Sequence, residues 1–402
     1  MKKILFATIV PFWNRETGAQ QRIFSLVKVL ERHGHQVRIF FPGHAEESDH
    51  RVARQLALDV SYHSSDQPPS ANRSLGEKLK WQFDAVVNAL SSAETDDQGS
   101  SPLTLSDFRW PWAEKNFQSV VNDFSPDAII CEYITMTYLV ESLPPAKRAK
   151  IYCMVDTHDL LSRRNEQFAQ NDRCHWINIS PREEAAALNA FDTVIAIQPH
   201  EAEAIQALTT EKSIIVVGHQ PHVEPVTDRP PPAKSTKLTL GYLGSDNDSN
   251  TDAINQFLKL VWSHFKDNEN LTLTIAGQVC ERVAENLRFN NVNLLGRVSD
   301  LNDFYDLVDA AINPVSYGTG LKIKSVEAIA YQKPLLSTAD GWVGEPIGGV
   351  TIVASLDDMK NMIDRWLEDP TAFQEARSAT VSSSRIQVDQ IYAPLLDSIQ
   401  RL

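Results

Sequence analysis

The segment Asn313–Ser337 places the strongest constraint on the fold of this chain, because it joins a short apolar strand to a helix through a glycine-rich turn. Gly318 and Gly320 stand in this turn, so the backbone N–H groups at the start of the helix can face a ligand. Lys322 and Lys324 add positive charge at the same end of the helix. Backbone N–H groups and ammonium groups are the partners that phosphate groups prefer, so the segment predicts an anion site at a sheet edge.

A carboxylate further along the same helix extends this prediction. Glu327 follows Lys322 within two turns, and a carboxylate can accept hydrogen bonds from both hydroxyl groups of a ribose. Cations, backbone N–H groups and one carboxylate together predict a site for a nucleoside diphosphate. The structural alternative for the same residues is a glycine-rich turn before a solvated amphipathic helix.

The residues from Gly318 to Ala328 resemble the donor-sugar site of the family-four retaining glycosyltransferases. The common form of that site has two glutamates eight positions apart, and Glu327 matches the second, which binds the ribose. Thr319 stands where the first glutamate is expected. A branch of the family carries Gly-x-Gly-x-Lys-x-Lys-x-x-Glu-Ala, and this sequence matches that pattern throughout. The resemblance is strong over residues 240–345 and weak over residues 45–125.

The resemblance implies an α/β chain with the GT-B fold, which consists of two facing Rossmann-like, doubly wound domains. It also implies a retaining glycosyltransferase that moves a sugar from a nucleoside diphosphate sugar to an acceptor hydroxyl group. Lys322 would act as a catalytic residue that stabilises the departing diphosphate. The donor-binding residues that the resemblance implies in this segment are Gly318, Thr319, Gly320, Lys324 and Glu327. Because position 319 lacks a carboxylate, the implied mechanism is same-face attack assisted by the departing phosphate.

Further donor contacts are predicted where strands of the second half end. Gly244 and Gly277 each stand just beyond an apolar strand, where open α/β sheets bind ligands. Arg297 and Val298 follow the next strand and resemble the family segment whose backbone binds the nucleotide base. Main-chain recognition depends little on side chains, so the identity of the base is not predicted.

The first half contributes two candidate residues. Gly18 opens the first helix and resembles a glycine of the family's first loop, where the backbone approaches the donor because no Cβ intervenes. His158 follows an apolar strand in the sequence Asp156-Thr-His-Asp159 and resembles the catalytic cleft histidine around the donor sugar. The structural alternatives are a plain glycine at a helix N-terminus and a histidine with local hydrogen bonds.

Two acidic segments raise the question of a metal site. Near His158, one histidine and two aspartates lack a further ligand at a useful spacing. The segment Asp246–Asp252 begins like a calcium loop, but Thr251 replaces the required glycine and Phe257 the bidentate glutamate. A polar helix cap at Asn250 or Thr251 explains this segment better. We therefore expect no metal and no cofactor besides the nucleotide sugar.

Short apolar runs alternate with helical stretches along most of the chain, which predicts parallel, doubly wound sheets. The predicted domains are residues 1–222 on the acceptor side and residues 237–385 on the donor side. The proline-rich stretch 223–236 predicts a linker. Residues 386–402 predict an amphipathic helix, which in GT-B proteins commonly crosses back to the first domain. A helix is also expected over residues 279–287.

The composition argues against a nucleic-acid-binding protein. The chain has 38 basic and 52 acidic residues, a net charge of −14 and an isoelectric point near 5.3. Its 402 residues suit two domains of about 200 residues each. Pro11 interrupts the first apolar run, which predicts a strand and not a signal peptide. Four dispersed cysteines and the lack of a long apolar run predict a cytoplasmic protein.

Positive charge near the first helix leaves peripheral membrane contact as an alternative. The residues concerned are Arg15, Arg22, Lys28, Arg32 and Arg38. GT-B enzymes that glycosylate lipid carriers often bind membranes through such N-terminal patches, whereas a solvated helix face explains the same charges equally well. The sequence predicts neither the acceptor nor the oligomeric state.

Two other functions share parts of this pattern. A nucleotide-sugar epimerase has the same fold but needs acid and base carboxylates and histidines around the sugar, and the sequence alone does not assemble such a set. A catalytically silent protein that binds sugar nucleotides is the non-enzyme alternative, which Thr319 slightly favours.

Overall fold

The protein forms two compact units of α/β structure. The computed structural model describes residues 1–402 except residues 16, 44, 46, 63–101, 211, 221–236, 299, 344–346 and 385–387. The predicted linker over residues 223–236 therefore lies outside the described residues. Unit 1 comprises Met1–His219 and Asp389–Leu402, and unit 2 comprises Gln220–Val388.

Unit 1 is built on a parallel sheet whose strands are largely buried. Its strands are β1 Lys3–Ala7, β2 Gln36–Phe41, β3 Val60–Tyr62, β4 Ala128–Glu132, β5 Tyr152–Asp156, β6 Thr193–Ala196 and β7 Ser213–Val216. Their spatial order is β3-β2-β1-β4-β5-β6-β7, and every pair is parallel. The order of the strands reverses between β1 and β4. Open α/β sheets bind ligands beyond the carboxyl ends of strands at such a point.

Unit 2 repeats this arrangement with a second parallel sheet. Its strands are β8 Leu238–Leu243, β9 Leu271–Ala276, β10 Val292–Gly296, β11 Ala310–Asn313, β12 Leu335–Thr338 and β13 Val350–Val353. Their spatial order is β10-β9-β8-β11-β12-β13. The reversal lies between β8 and β11, so the end of β11 is a predicted ligand position.

Helices connect the parallel strands, as crossover connections require. In unit 1 they are α1 Gly18–Arg32, α2 Glu47–Gln55, α3 Pro111–Phe124, α4 Thr137–Glu141, α5 Pro145–Arg148, α6 Leu161–Gln170, α7 Pro181–Leu188 and α8 Pro199–Leu208. In unit 2 they are α9 Asp248–Leu260, α10 Leu301–Leu307, α11 Ile323–Ala330, α12 Leu356–Glu368 and α13 Pro370–Ser383. The last helix is α14 Val388–Gln400, which belongs to unit 1 from Asp389 onward.

The first helix shows how the sequence sets an element of unit 1. The side chain of Thr17 accepts a hydrogen bond from the backbone N–H of Gln20, and the Gln20 side chain binds the backbone of Thr17 in return. This capping box satisfies backbone groups that the helix start leaves unpaired. The apolar side chains of α1 that follow at helical spacing lie fully buried in the core of unit 1, namely Ile23, Leu26, Val27 and Leu30.

The helix expected over residues 279–287 is wrong. The segment forms two short 3-10 turns, Gln278–Arg282 and Glu285–Leu287, with the extended residue Val283 between them. Val283 is buried in the core of unit 2 beside Val279. Its burial takes the backbone out of helical geometry, so tertiary packing overrides the local propensity.

All four cysteines are free thiols, and three of them are buried. Within the described residues, none of the helices combines the length and hydrophobicity that a membrane-spanning segment needs.

Candidate functional site

Candidate site residues occur in both units, and in unit 1 they gather where β4 and β5 end. Glu132 and Asp156 are paired in the register of these two strands, so their side chains leave the sheet edge side by side. The Nε2 atom of His158 lies 2.7 Å from Oε2 of Glu132 and 3.7 Å from Oδ2 of Asp156. All three side chains are buried. The structure thus places the predicted His158 between two carboxylates, of which the sequence indicated only Asp156.

Arg22 completes this group from helix α1. Its guanidinium donates to both carboxylate oxygens of Asp156, at 2.6 and 2.7 Å, and to the carbonyl oxygen of Gly218 at 2.9 Å. The Arg22 side chain is 1% exposed. The expectation that Arg22 contributes to a basic surface is therefore wrong, because its guanidinium forms a buried ion pair with Asp156. We call Arg22, Glu132, Asp156 and His158 the unit 1 cluster.

The backbone beside the cluster is strained. Tyr133 has a φ of 67° and His158 a φ of 57°, in a region that residues with a Cβ rarely adopt. Their rings stack with centroids 4.1 Å apart and planes 11° from parallel. Strain of this kind costs about 1–3 kcal/mol per residue and is concentrated at functional sites.

Burial shifts the pKa values of Glu132 in the unit 1 cluster and of His219 beside it. Removal from water and the charge of Asp156 raise the pKa of Glu132 to about 7. Burial, Arg22 and His158 lower the pKa of His219 to about 3, so this histidine is neutral. Neither ring nitrogen of His219 has a hydrogen-bond partner among the described residues, and the same holds for Oε1 of Glu132. Such unsatisfied buried atoms are uncommon and point to contacts with water or a ligand.

A metal ion fits this cluster poorly. Ligand atoms of Glu132, Asp156 and His158 all lie within 4.8 Å of one another, and Glu132 is the extra ligand that the sequence did not reveal. The guanidinium of Arg22 nevertheless occupies both oxygens of Asp156. A divalent ion here would face a fixed positive charge at short range, so the group suits a proton better than a metal.

The acidic segment after β8 is also explained by protein contacts. Arg282 contacts Oδ1 of Asp246 at 3.2 Å and Oδ1 of Asp248 at 3.3 Å. Asn247 accepts a hydrogen bond from the backbone N–H of Asn250 at 2.8 Å and so caps α9. The cap predicted at Asn250 or Thr251 is therefore wrong by a few residues, because α9 starts earlier than its apolar pattern indicates.

In unit 2 the predicted glycine–lysine segment, residues 318–327, connects β11 to α11. Gly318 and Gly320 have φ values of 111° and 72°, which glycine adopts without a steric penalty. Side-chain contacts fix the helix start, since Asn313 at the end of β11 donates to Oγ of Ser325 at 2.8 Å. On the other side, Oγ of Ser249 donates to the carbonyl oxygen of Tyr317 at 2.8 Å.

Lys322 folds back onto the turn that precedes it. Its ammonium group donates to the carbonyl oxygen of Gly318 at 2.6 Å and to that of Thr319 at 2.9 Å. These contacts hold the shape of the turn directly before α11. Lys322 remains a predicted catalytic residue, and it also stabilises the turn through these two hydrogen bonds.

Lys324 points inward, toward the start of α9 and the end of β8. Its ammonium group donates to Oδ1 of Asn250 at 2.5 Å and to the hydroxyl group of Tyr242 at 3.1 Å, and it lies 4.4 Å from the centre of the Tyr242 ring. Among the described residues, no carboxylate forms an ion pair with it. Burial and the neighbouring Lys322 lower the pKa of Lys324 to about 7.

Glu327 lies one turn after Lys324, and its side chain is buried. Burial raises its pKa to about 7, although Lys324 partly opposes this shift. The stacked rings of Tyr305 and Tyr331, whose centroids are 4.2 Å apart, lie in the adjoining core. The predicted carboxylate and one of the two predicted lysines thus share an enclosed position at the start of α11.

The predicted glycines at the strand ends of unit 2 meet each other. A Cβ atom on Gly277, whose φ is 95°, would lie 2.1 Å from the carbonyl oxygen of Gly244. The backbone N–H of Gly277 donates to the carbonyl oxygen of Gly296 at 2.7 Å. Gly277 is therefore required by backbone packing, whatever ligand role it has. Arg297 and Val298 follow directly after β10, and Val298 packs against the core beside α10.

Gly18 is the first residue of α1, directly after the capping residue Thr17.

Several residues of the site were not predicted from the sequence, although one signal existed. Glu132 ends an apolar strand, as Asp156 does, and a polar residue at that place in a parallel sheet marks a ligand position.

Comparison with known proteins identifies the family. The model of the family described as "Glycosyl transferase 4-like domain" matches residues 17–218, and that described as "Glycosyl transferases group 1" matches residues 237–369. No curated protein sequence gives a significant match.

Solved structures share the fold over nearly the entire chain. HepE of Anabaena, solved with UDP and glucose, is 15% identical, with a TM-score of 0.65 and full coverage of both chains. Sucrose-phosphate synthase of Thermosynechococcus elongatus is 14% identical, with a TM-score of 0.64 over 99% of this chain and 100% of that one. WaaG, a glycosyltransferase of lipopolysaccharide biosynthesis, is 15% identical, with a TM-score of 0.60 and 98% coverage of both chains.

The predicted fold class is confirmed, since two parallel α/β units match the GT-B architecture of these structures. The family models cover both units and account for more than half of the chain. The chain therefore belongs to the group 1 glycosyl transferases and is a glycosyltransferase with two Rossmann-like units of the GT-B fold.

Proposed function

We propose that this glycosyltransferase moves a sugar from a nucleoside diphosphate sugar to an acceptor hydroxyl group, with retention of anomeric configuration and without a metal ion. The observation that carries the proposal is Lys324. Its ammonium group is partly buried beside the start of α11, and among the described residues it forms no ion pair with a carboxylate, although the charge of Glu327 acts on it from the next turn of the helix. A buried cation at the positive end of a helix favours an anionic ligand such as a diphosphate.

The chemistry follows from the charge that develops during transfer. As the bond between the anomeric carbon and the diphosphate breaks, negative charge grows on the phosphate oxygens. Lys324 and the backbone N–H groups at the start of α11 stabilise that charge, and Lys322 adds to the same field. The acceptor oxygen bonds to the anomeric carbon on the same face, and its proton passes to the departing phosphate. Position 319 is a threonine, so no carboxylate there offers a covalent route.

The donor is best sought first among UDP-sugars, because the similar HepE structures contain UDP or UDP-glucose. Thermal-shift measurements with UDP-, GDP- and ADP-sugars identify the nucleotide that stabilises the protein. Release of the nucleoside diphosphate, measured with and without acceptor glycans and glycolipids, then reports transfer. The anomeric coupling constants of the product, measured by NMR, show whether configuration is retained.

Metal independence has its own test. We expect turnover to persist in excess EDTA, because lysines and helix N–H groups meet the diphosphate charge. Loss of all turnover with EDTA, restored by one divalent ion, would contradict this part of the proposal. The pair Asp246 and Asp248 would then be examined again as metal ligands, with Arg282 displaced.

A nucleotide-sugar epimerase is the second candidate, and the unit 1 cluster is the observation that favours it. The sequence alone assembles no acid and base groups, but the structure places Glu132, Asp156 and His158 together. An epimerase would produce an isomeric sugar nucleotide without an acceptor. A silent binding protein would show a thermal shift with a sugar nucleotide but no turnover, so the same assays separate all three functions.

A further inference from the structure

The surroundings of His158 fix where its ring carries a proton. Nε2 lies 2.7 Å from Oε2 of Glu132 and 3.7 Å from Oδ2 of Asp156. Above about pH 7, where Glu132 is ionised, a bare nitrogen lone pair facing two carboxylate oxygens would be repelled, whereas an N–H group there donates a hydrogen bond. A neutral imidazole with hydrogen on Nε2 has its lone pair on Nδ1.

Other contacts leave Glu132 as the partner that sets this orientation. Arg22 from α1 takes both oxygens of Asp156, so the Asp156 charge is already balanced. Tyr133, the residue after Glu132, stacks on the face of the His158 ring and limits its tilt. A face-to-face contact does not decide which nitrogen is protonated. The hydrogen bond to Glu132 does.

We infer that Glu132 is a positioning residue of the transferase site, which holds the Nε2–H of His158 and so presents Nδ1 to a substrate hydroxyl group. The inference rests on the function proposed above and adds to it a residue on the neighbouring strand. In this arrangement a sugar or acceptor hydroxyl donates its hydrogen to Nδ1 of His158. Glu132 itself does not touch the reacting atoms.

The charged and titratable groups around Glu132 come from three elements. Arg22 lies on α1, while Asp156 and His158 follow from β5, and all three influence the Glu132 carboxyl group. His219, which follows β7, faces Arg22 and His158 and is neutral. With Arg22 and Asp156 paired, a Glu132 carboxylate is the acceptor available to Nε2–H of His158.

A double-mutant cycle on turnover tests this inference. We expect Glu132→Leu to lower kcat about tenfold to a hundredfold, the usual range for loss of a residue that orients a functional histidine. Glu132→Gln should recover most of this loss, because its amide oxygen still accepts the Nε2–H hydrogen bond. In a His158→Ala background, Glu132→Leu should change kcat less than about threefold, since residues that act as one unit are non-additive.

A matched control separates positioning from general stability. Asp192 also accepts a hydrogen bond from β5, through the backbone N–H of Cys153 at 2.7 Å, but at the opposite end of that strand. Asp192→Leu should lower the thermal midpoint without the change in kcat. Glu132→Leu and His158→Ala could instead reduce kcat independently, so that the factor for the double variant is the product of the two single factors. That result would overturn the positioning role.

The tautomer of His158 gives a readout that needs no activity. In protein labelled with ¹⁵N-histidine, at a pH above 8, the His158 signals should show hydrogen on Nε2. Glu132→Gln should keep that tautomer and Glu132→Leu should lose the preference for it. Hydrogen on Nδ1 in the unchanged protein would overturn the inference even if transfer is observed. Conversely, the Nε2–H result would stand if no sugar nucleotide were turned over, so the two failures are distinguishable.

Discussion

Lys324 is held in surroundings that disfavour its ammonium form relative to water. The transfer of an ammonium group out of water costs free energy, and hydrogen bonds to Asn250 and Tyr242 return only part of it. The lowered pKa of Lys324 expresses this cost. A residue kept for stability alone would be better replaced by an apolar side chain of similar length.

The first prediction compares the effect of Lys324 on thermal stability with its effect on nucleotide affinity. At pH 6, where Lys324 is charged, we expect Lys324→Met to raise the thermal midpoint of the protein. The same change should weaken binding of the nucleotide found in the screen by about tenfold to a hundredfold, the range for a charged hydrogen bond of roughly 1.5–3 kcal/mol. Thermal unfolding and titration calorimetry measure the two effects.

Lys322→Met is the matched variant, because Lys322 holds the turn through two carbonyl groups. We expect it to lower the thermal midpoint, since those two contacts are lost. If both variants change stability in the same direction and leave nucleotide affinity intact, neither lysine binds the diphosphate, and backbone N–H groups alone form the site.

The second prediction concerns pH. The pKa of Lys324 is about 7, and a diphosphate bound as proposed would raise it. Protonated Lys324 therefore contributes fully to affinity below about pH 7, and affinity falls as pH rises further, by at most about tenfold per unit. Glu327 should act in the opposite direction, because its carboxylate is the predicted ribose contact and its pKa is also about 7. Calorimetric titrations from pH 6 to 9 record the sum of both.

Variants separate the two groups. Glu327→Gln should leave only the decline of affinity with pH that Lys324 causes, whereas Lys324→Met should abolish that decline. Equal slopes of affinity against pH in Lys324→Met and the unchanged protein would exclude Lys324 as the titrating group.

At the scale of elements, two strand ends of unit 2 depend on one glycine. The loop after β9 passes so close to the loop after β8 that a Cβ on Gly277 would reach the Gly244 carbonyl oxygen, and the φ of 95° disfavours any side chain there. The clash joins a Cβ, which is fixed to the backbone of residue 277, to a backbone oxygen of Gly244, so neither atom can move without displacing a strand end.

The third prediction follows for Gly277→Ala. We expect a large loss of stability in unit 2, several times that of Gly296→Ala, whose φ of 70° is similar but whose Cβ would meet no atom within 4 Å. Thermal unfolding of the two variants compares strain plus clash with strain alone. Equal losses would show that the two loops can separate at little cost.

Sequence patterns located most elements because buried parallel strands give continuous apolar runs. The apolar runs Leu238–Leu243 and Leu271–Ala276 predict β8 and β9 with the bounds that the structure shows. β13 was missed, since Val350–Val353 is only partly buried and no pattern marks its ends. The helix expected over 279–287 failed because the burial of Val283 is a tertiary effect that local propensity cannot show.

The candidate site was predictable only where its residues are close in sequence. The glycine–lysine segment is continuous and therefore visible as a motif, whereas Arg22 and Asp156 are separated by 134 positions. One local signal was available, because Arg22 stands four residues before Leu26 and so shares the buried face of α1. The partnership of Glu132 with His158 depends on the register of β4 against β5, which no sequence periodicity specifies.

At the scale of the whole molecule, unit 1 is discontinuous in sequence. Helix α14 follows unit 2 along the chain, yet Tyr392, Leu395 and Ile399 are buried in the core of unit 1. The stability of unit 1 therefore depends on residues that the sequence places after the whole of unit 2.

The fourth prediction tests this dependence. Leu395→Ala should destabilise unit 1 by about 2–5 kcal/mol, the range for removing a buried leucine side chain. Leu402→Ala, at a position that is 37% exposed, should cost much less. Hydrogen exchange should show faster exchange in β1 and β4 of the Leu395→Ala variant and unchanged exchange in β8 and β9. Equal loss of protection in both units would mean that they unfold as one.

The discontinuity of unit 1 also has a consequence for the order in which the chain matures on the ribosome. All strands of unit 2 have been synthesised before α14 emerges, so unit 2 can complete its core first. The strands of unit 1 are synthesised much earlier, but its core is completed only by α14. Until then, the apolar surface of unit 1 against which Tyr392 and Leu395 pack stays exposed. A nascent chain stalled just before residue 388 should therefore present that apolar surface to chaperones, although the strands of both sheets have already been synthesised.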